Sequence, residues 1–266
     1  MNNISLTFLG SGTSHGVPMI GCSCSTCKST NPKDKRLNAS IMITKNSKNI
    51  LIDCGRDFRQ QALKYEIKRV DHILITHTHF DHIGGIDDLR VFNQKNNITI
   101  PVYGNPEHLN YLENYTYKYL FDNNVQAGGG ISRIKLVPIH EKITLEGINF
   151  EVIPVYHGSL LCYGYKFLNS AYISDVSLIP DESIAKLKNL DLLVLDALRF
   201  KPHNTHFNLE NALKIAKLLK PKKTYFTHIC HDLSHSATEQ LLNDPKSRYY
   251  TEHEIKLAYD GLIINM

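Results

Sequence analysis

Four side chains that can bind a metal ion lie within six consecutive positions of this chain. They are His77, His79, Asp81 and His82. Neutral imidazole and carboxylate groups are ligands that Zn²⁺, Mn²⁺ and Fe²⁺ all accept. A protein core could not easily satisfy the hydrogen bonds of so many polar groups in one place. The cluster therefore predicts a metal site of the kind that hydrolases use.

Three further potential ligands stand where an apolar run gives way to a loop. His157 follows residues 152–156, Asp175 follows 172–174 and His228 follows 225–227. Loops at the ends of strands are where sheet proteins usually assemble their sites. Each residue taken alone is a weak indication, because a single histidine at a strand end is more often a hydrogen-bonded structural residue. Together with the first cluster they supply enough ligands for two ions.

A second cluster consists of Cys22, Cys24 and Cys27. In a reducing compartment, crowded cysteines favour metal binding over disulfides. A closed structural zinc site has four ligands, and His231 is a candidate for the fourth. Such a zinc would tie the N-terminal loop to the segment that carries His228. The alternatives are unpaired buried thiols or an exposed redox pair.

Apolar runs and helical patterns alternate along the chain, which predicts a layered α/β architecture. The predicted strands cover residues 4–9, 40–44, 50–53, 72–76, 148–155, 171–174, 191–195 and 224–227. The helical patterns cover residues 57–65, 86–92, 106–120, 180–187 and 209–219. Residues 121–130, with paired asparagines and three consecutive glycines, predict a surface loop. We expect one domain spanning residues 1–266.

The composition is that of an ordinary globular protein. The chain has 266 residues, 42% of them hydrophobic and 21% charged, with a formal net charge of +4. This mildly basic balance does not by itself point to nucleic-acid binding. The first residues lack a signal-peptide pattern, and no apolar run is long enough to span a bilayer. We therefore expect a cytoplasmic protein without a membrane partner.

The motif Thr-His-x-His-x-Asp-His at residues 76–82, with its separate downstream ligands, resembles the metallo-β-lactamase superfamily. The strand that ends at Asp53 resembles the first motif of that superfamily, whose aspartate supports the site from behind the ligands. The resemblance implies a four-layer αβ/βα sandwich with the site at one edge of two sheets. It implies one ion bound by His77, His79 and His157. It implies a second ion bound by Asp81, His82 and His228, with Asp175 bridging the two ions.

The glycine-rich opening at residues 10–18, followed by the cysteine cluster, resembles the PhnP-like branch, which carries a Cys/Cys/Cys/His zinc. This resemblance implies a dinuclear phosphodiesterase that acts on a small substrate, including a cyclic one. Two cations lower the pKa of a shared water, so a bridging hydroxide is the expected nucleophile. We expect Zn²⁺ or Mn²⁺ in the active site, with Fe²⁺ as a third choice, and one structural zinc. A homodimer is compatible with this expectation.

Two relatives of the same superfamily give alternative functions. The tRNA 3′-processing endonucleases share the metal motif but usually lack the cysteine cluster. The cofactor-biosynthesis protein PqqB has a similar cluster and would suggest a non-catalytic role. The sequence has no long basic insert of the kind that clamps tRNA, so a nucleic-acid substrate is the less favoured interpretation.

Phosphodiester cleavage expels an alkoxide, and a nearby histidine that protonates it contributes roughly 10²–10⁴-fold in rate. His206 precedes the helical pattern at 209–219, and its position resembles that of the general acid in phosphodiesterase members of the superfamily. His203 is assigned to the substrate phosphate. The predicted catalytic set is therefore His206, His203 and Asp81, the last also a ligand. Asp196 is predicted to be a structural or supporting acid.

Overall fold

Two seven-stranded mixed sheets face each other in the computed structural model, which describes residues 4–122, 124, 128 and 130–266. In spatial order, the first sheet contains β14 (Ile263–Asn265), β1 (Ile4–Gly10), β2 (Ser40–Lys45), β3 (Lys48–Ile52), β4 (His72–Leu74), β5 (Ile100–Gly104) and β6 (Ile134–Pro138). The second contains β13 (Glu254–Leu257), β12 (Lys223–Thr227), β11 (Leu192–Asp196), β10 (Ser170–Ile173), β9 (Leu160–Phe167), β8 (Ile148–His157) and β7 (Lys142–Leu145). Each sheet is antiparallel in one half and parallel in the other.

Helices pack on the outer face of each sheet, and one further short helix lies in the N-terminal loop that carries the cysteine cluster. They are α1 (Ser25–Lys28), α2 (Phe58–Lys64), α3 (Phe80–Ile83), α4 (Arg90–Asn96), α5 (Pro106–Tyr111), α6 (Asp181–Lys186), α7 (Leu209–Leu219) and α8 (His235–Asn243). Among the residues that the structure describes, none of the helices has both the length and the apolar character needed to cross a membrane.

Side-chain alternation along the strands produces the four layers. On β11, Leu192 and Val194 point into the core between the sheets, while Leu193 and Leu195 pack under the outer helices. Such a strand is buried on both faces and therefore reads as a continuous apolar run. The inter-sheet core also contains large aromatic side chains such as Phe150 and Tyr165. The predicted four-layer sandwich is confirmed.

The predicted long helix at 106–120 is instead divided into three pieces. Helix α5 is followed by a wide π-helical turn at Leu112–Thr116 and a 3₁₀ turn at Lys118–Leu120. Asparagine, tyrosine and threonine, which dominate residues 114–117, have weaker helix propensity than alanine or leucine. The predicted pattern at 86–92 likewise becomes a 3₁₀ turn, Ile86–Leu89, followed by α4. Of the predicted loop at 121–130, residues 123, 125–127 and 129 lie outside the described part of the chain.

The carboxyl ends of several strands meet at one edge of the sandwich. Strands β10, β11 and β12 are parallel, and β8 runs in the same direction because it and β10 are both antiparallel to β9. In the other sheet β3 and β4 are parallel neighbours. The last residues of these strands and the loops that follow them carry the predicted metal ligands.

Candidate metal centres

The predicted ligands of the first cluster converge at this edge. The ligand atoms of His77, His79 and His157 lie within 4.8 Å of one another. The same holds for Asp81, His82 and His228, and for His77, His82 and Asp175. The two triads are the groups that the family resemblance implied for two separate ions.

The Asp175 carboxylate reaches residues of both ligand groups. Its Oδ2 lies 3.2 Å from Nε2 of His82, and its Oδ1 lies 3.3 Å from Nε2 of His228. It also belongs to a ligand-spaced group with His77. A carboxylate in this position has the geometry expected of a bridge between two cations.

The tight turn after β4 brings four of these ligands together. Helix α3 begins directly after His79, and the backbone N–H of His82 donates to the carbonyl of His79 at 2.9 Å. The turn presses against Gly55, where an added Cβ would lie only 1.8 Å from the carbonyl oxygen of Asp81. Because any larger residue would push the ligand turn away, glycine at this position is a requirement of the site.

Asp53 supports the ligands without facing the centre of the cluster. Its carboxylate accepts hydrogen bonds from the backbone N–H of Thr76 at 2.8 Å and from Nδ1 of His82 at 2.7 Å. The bond to Nδ1 leaves Nε2 of His82 to meet a metal, which is the usual arrangement behind a ligating histidine. Asp53 has a φ of +67°, a region that aspartate tolerates better than most residues. These contacts match the supporting role that the resemblance implied.

Two other histidines are oriented in the same way. Nδ1 of His157 donates to the carbonyl of Thr205 at 2.6 Å. Nδ1 of His77 lies 3.0 Å from the hydroxyl of Thr76, which in turn donates to Asp53. In both rings Nε2 is thus the nitrogen left for a metal. Within the described residues, Nε2 of His77 and Nε2 of His82 are buried without a hydrogen-bond partner.

The electrostatics of the cluster fit bound cations. Burial lowers the pKa of His77, and it lowers the pKa of His157 to about 4, so both rings are neutral, as ligands must be. Burial also acts to lower the pKa of His82, but the surrounding carboxylates, Asp175 first among them, outweigh it and raise that pKa. Buried carboxylates next to unpaired imidazole nitrogens are costly unless a cation joins them. The nitrogen and oxygen donors here fit two divalent ions.

His206 lies at the rim of this cluster and is held by Asp196. Its Nδ1 donates to Oδ2 of Asp196 at 2.8 Å, and its side chain is only 10% exposed. The ring stacks on His228 at 4.8 Å with an interplanar angle of 14°. Burial lowers the pKa of His206. The bond to Asp196 leaves Nε2 as the nitrogen that can exchange a proton with a substrate.

His203 lies farther out than the other predicted site residues. Its ring centroid is 5.1 Å from that of His206, and the side chain is exposed. The backbone N–H of Thr205 donates to its Nδ1 at 3.3 Å. The structure thus places His203 at the mouth of the site, and its contact with a substrate phosphate stays a prediction.

The cysteine cluster forms a separate candidate centre with His231. Nδ1 of His231 lies 3.2, 3.4 and 3.6 Å from the sulfurs of Cys22, Cys24 and Cys27. Tetrahedral zinc with the usual bond lengths separates a nitrogen from a sulfur ligand by about 3.5 Å. The backbone N–H of Cys27 lowers the pKa of Cys24 to about 6, which favours its thiolate. The four side chains therefore fit one structural zinc, as the sequence predicted.

Replacing Cys24 with serine is expected to remove this zinc and destabilise the protein. A closed zinc site contributes to folding outright, and a loss of a few kcal/mol lowers the melting temperature of a chain of this size by roughly 10 °C. Zinc content by elemental analysis and thermal unfolding measure the effect. Cys230→Ser is the matched control, because Cys230 is buried nearby but lies outside the ligand-spaced group. Unchanged zinc content in Cys24→Ser would contradict the assignment.

Sequence reasoning missed two contacts that position the ligands. One is the backbone carbonyl of Thr205, because every residue has such a carbonyl and the sequence does not show which one accepts a given hydrogen bond. The other is His108, which received no role. Its Nε2 donates to the carbonyl of Leu161 at 2.8 Å, and its Nδ1 lies 3.1 Å from the hydroxyl of Thr78. His108 therefore ties the ligand turn to β9, a connection that only the tertiary structure reveals.

Comparison with known proteins agrees with this geometry. The Beta-lactamase superfamily domain matches residues 48–229. A solved structure described as a new diphosphatase from the PhnP family is 43% identical, with a TM-score of 0.88, and the match covers 100% of this chain and 98% of that one. A ribonuclease Z of Listeria welshimeri is 26% identical, with 96% of this chain and 97% of that protein covered.

A protein of Porphyromonas gingivalis named octanoyltransferase is 36% identical over 225 residues. The match covers 84% of this chain but 45% of that protein. The chain thus spans less than half of the length of this curated relative.

Proposed function

Because the chain belongs to the metallo-β-lactamase superfamily, in its PhnP-like branch, we propose that it is a metal-dependent phosphodiesterase that hydrolyses a small phosphate diester. The observation that carries the proposal is the position of His206, which is held by Asp196 at 2.8 Å and stacked on the predicted ligand His228. Such a proton donor beside a metal site speeds the expulsion of an alkoxide leaving group by roughly 10²–10⁴-fold.

In this proposal, one set of side chains binds the metal ions and another residue transfers a proton. His77, His79 and His157 would hold one divalent ion, while Asp81, His82 and His228 would hold the other, with Asp175 shared. Bound Zn²⁺ or Mn²⁺ would supply Lewis-acid activation of the phosphate and of a water. The hydrogen bond from Nδ1 of His82 to Asp53 would leave its Nε2 for an ion, and the bond from Nδ1 of His206 to Asp196 would leave its Nε2 for a substrate.

A nuclease of the ribonuclease Z type is the second candidate, since one such protein matches nearly the whole chain. Long RNA contacts many cations on a protein, so its binding weakens steeply with salt. The formal net charge of +4 is small for such a task, which favours the small substrate. Octanoyl transfer is not part of the proposal, because more than half of the relative with that name lies outside the match.

A turnover screen of the metal-reconstituted protein tests the proposal. The panel contains bis(4-nitrophenyl) phosphate, 2′,3′- and 3′,5′-cyclic nucleotides, a ribose cyclic phosphate, a dinucleoside diphosphate and precursor tRNA. Hydrolysis of small diesters with little dependence on salt supports the phosphodiesterase. Preference for the diphosphate would shift the proposal toward the activity named for the PhnP-family structure. Turnover of precursor tRNA alone would replace the proposal with the nuclease.

A further inference from the structure

A cavity of about 320 Å³ opens directly beside the metal cluster. His79, a predicted ligand, forms part of its wall together with Thr78 from the same turn. Its volume is at the lower end of the range in which proteins bind small molecules, roughly 300–1,000 Å³. A group bound here would be attached to a phosphate at the ions, so the cavity is positioned to select the substrate.

One exposed aromatic side chain lines this cavity, and a second exposed ring stacks on it. Tyr111 lines the cavity and stacks on Tyr115, with ring centroids 5.2 Å apart and an interplanar angle of 25°. The two side chains are 48% and 70% exposed. In contrast, Tyr117 on the same segment is buried, and its hydroxyl donates to the carbonyl of Ile83 at 2.8 Å. Tyr117 thus has a structural role in the fold, whereas no packing in the described residues explains the exposed rings of Tyr111 and Tyr115.

The local backbone explains why the two exposed rings meet. Tyr111 ends α5, and Tyr115 lies in the π-helical turn Leu112–Thr116 that follows. Residues four apart share a helix face, and single π-helical turns occur frequently at functional sites. The turn therefore presents a flat aromatic surface next to His79.

The remaining walls determine which chemical group fits. Leu160 and Leu161 supply apolar surface, and both nitrogens of His108 are engaged with Thr78 and the carbonyl of Leu161. Glu107 is exposed at the cavity, and its carboxylate can accept N–H or hydroxyl donors. An acceptor of this charge repels a second phosphate. The walls suit a flat, uncharged group with polar N–H edges.

We infer that this cavity binds the nucleobase of a nucleotide ester, with the base stacked on Tyr111 and the phosphate at the metal centre. The inference rests on the proposed phosphodiesterase and narrows its substrate class. Base stacking on an aromatic side chain is sequence-tolerant and changes affinity by roughly five- to a hundredfold. The enzyme would then prefer nucleoside diesters over diesters of the same leaving group without a base.

Two substrates with the same leaving group test the inference. They are thymidine 5′-(4-nitrophenyl) phosphate and methyl 4-nitrophenyl phosphate. Tyr111→Ala is expected to raise KM for the nucleoside ester at least about fivefold and to leave kcat/KM for the methyl ester within about twofold. Tyr111→Phe, which keeps the ring, should behave as the native protein. Tyr119→Ala is the matched control, because Tyr119 is partly exposed on the same segment but does not line the cavity.

A binding measurement separates this inference from the proposed function. Calorimetric titration of the metal-loaded protein with thymidine 5′-monophosphate and with methyl phosphate should show tighter binding of the nucleotide, lost in Tyr111→Ala. Tyr111-dependent nucleotide binding without turnover of either ester would sustain the base site and remove the phosphodiesterase. Turnover of both esters with equal KM, unchanged by Tyr111→Ala, would overturn the base site and leave the phosphodiesterase intact. Dependence on Tyr111 with precursor tRNA alone would also overturn it.

Discussion

Replacement of Asp175 with alanine is expected to lower kcat/KM by more than about a hundredfold and to reduce the metal content of the active site. Residues that merely orient a metal ligand already cost 10- to 100-fold when they are changed. Asp175 lies within 3.3 Å of the ligand nitrogens of His82 and His228, and it forms a ligand-spaced group with His77 of the other triad, so its loss affects both ions. Elemental analysis and kinetics on bis(4-nitrophenyl) phosphate measure the two effects.

The structural zinc provides an internal control for this experiment. The variant is expected to keep one zinc per chain at the cysteine cluster, which shows that the protein is folded. Asp191→Ala is the matched substitution, because Asp191 directly precedes β11 and is a surface residue paired with Lys222 at 2.7 Å. It should retain full activity and all bound metal. An Asp175→Ala protein with both active-site ions and native turnover would refute the shared position of this carboxylate.

The ligand cluster could be predicted from sequence because its geometry is local or set by strand direction. The residues from 77 to 82 occupy a single turn, so their types and spacing already carry the chemistry. His157 ends β8, while Asp175 and His228 lie just after β10 and β12, and strands that run in the same direction bring their carboxyl ends together at one edge. Assigning each of these side chains to one of two ions required the family resemblance. Spacing along the chain does not show how side chains are arranged around an ion.

Contacts made by loops could not be predicted in the same way. The carbonyl of Thr205 accepts from His157 across 48 positions of the chain, and neither residue carries a pattern that pairs them. Asp196 and His206 are only ten residues apart, yet their hydrogen bond depends on how the intervening loop folds back. The sequence predicted a supporting role for Asp196 without identifying the side chain that it holds.

Six strands were not predicted from the sequence, and four of them, β6, β7, β13 and β14, lie at the edges of their sheets. Strand β7 lies at the edge of its sheet and alternates between exposed and buried residues, so its four positions lack a continuous apolar run. Strands β13 and β14 are short and depend on their neighbours for hydrogen bonds. Central strands such as β11 are buried on both faces and form continuous apolar runs that the sequence shows, although the central strands β5 and β9 were missed as well.

Replacement of His206 with alanine is expected to lower kcat at least tenfold for a diester with a poor leaving group, with the metal content unchanged. A general acid contributes roughly 10²–10⁴-fold where the leaving oxygen is strongly basic. A nitrophenolate leaves without help, so bis(4-nitrophenyl) phosphate should be much less sensitive to the change. Kinetics on a 3′,5′-cyclic nucleotide, whose leaving group is an alkoxide, and on bis(4-nitrophenyl) phosphate, with metal analysis of the same samples, test this contrast.

The metal analysis also distinguishes between two roles for His206. Its ligand atom lies within 4.8 Å of those of His157 and Asp175, so the geometry alone would also allow it to bind an ion. Loss of metal from His206→Ala, with equal rate losses on both esters, would make His206 a ligand and remove it as the proton donor. Asp196→Ala tests the same assignment independently, because it removes the acceptor that orients Nδ1 of His206. If Asp196 acts through His206, the double variant should lose no more activity than His206→Ala alone.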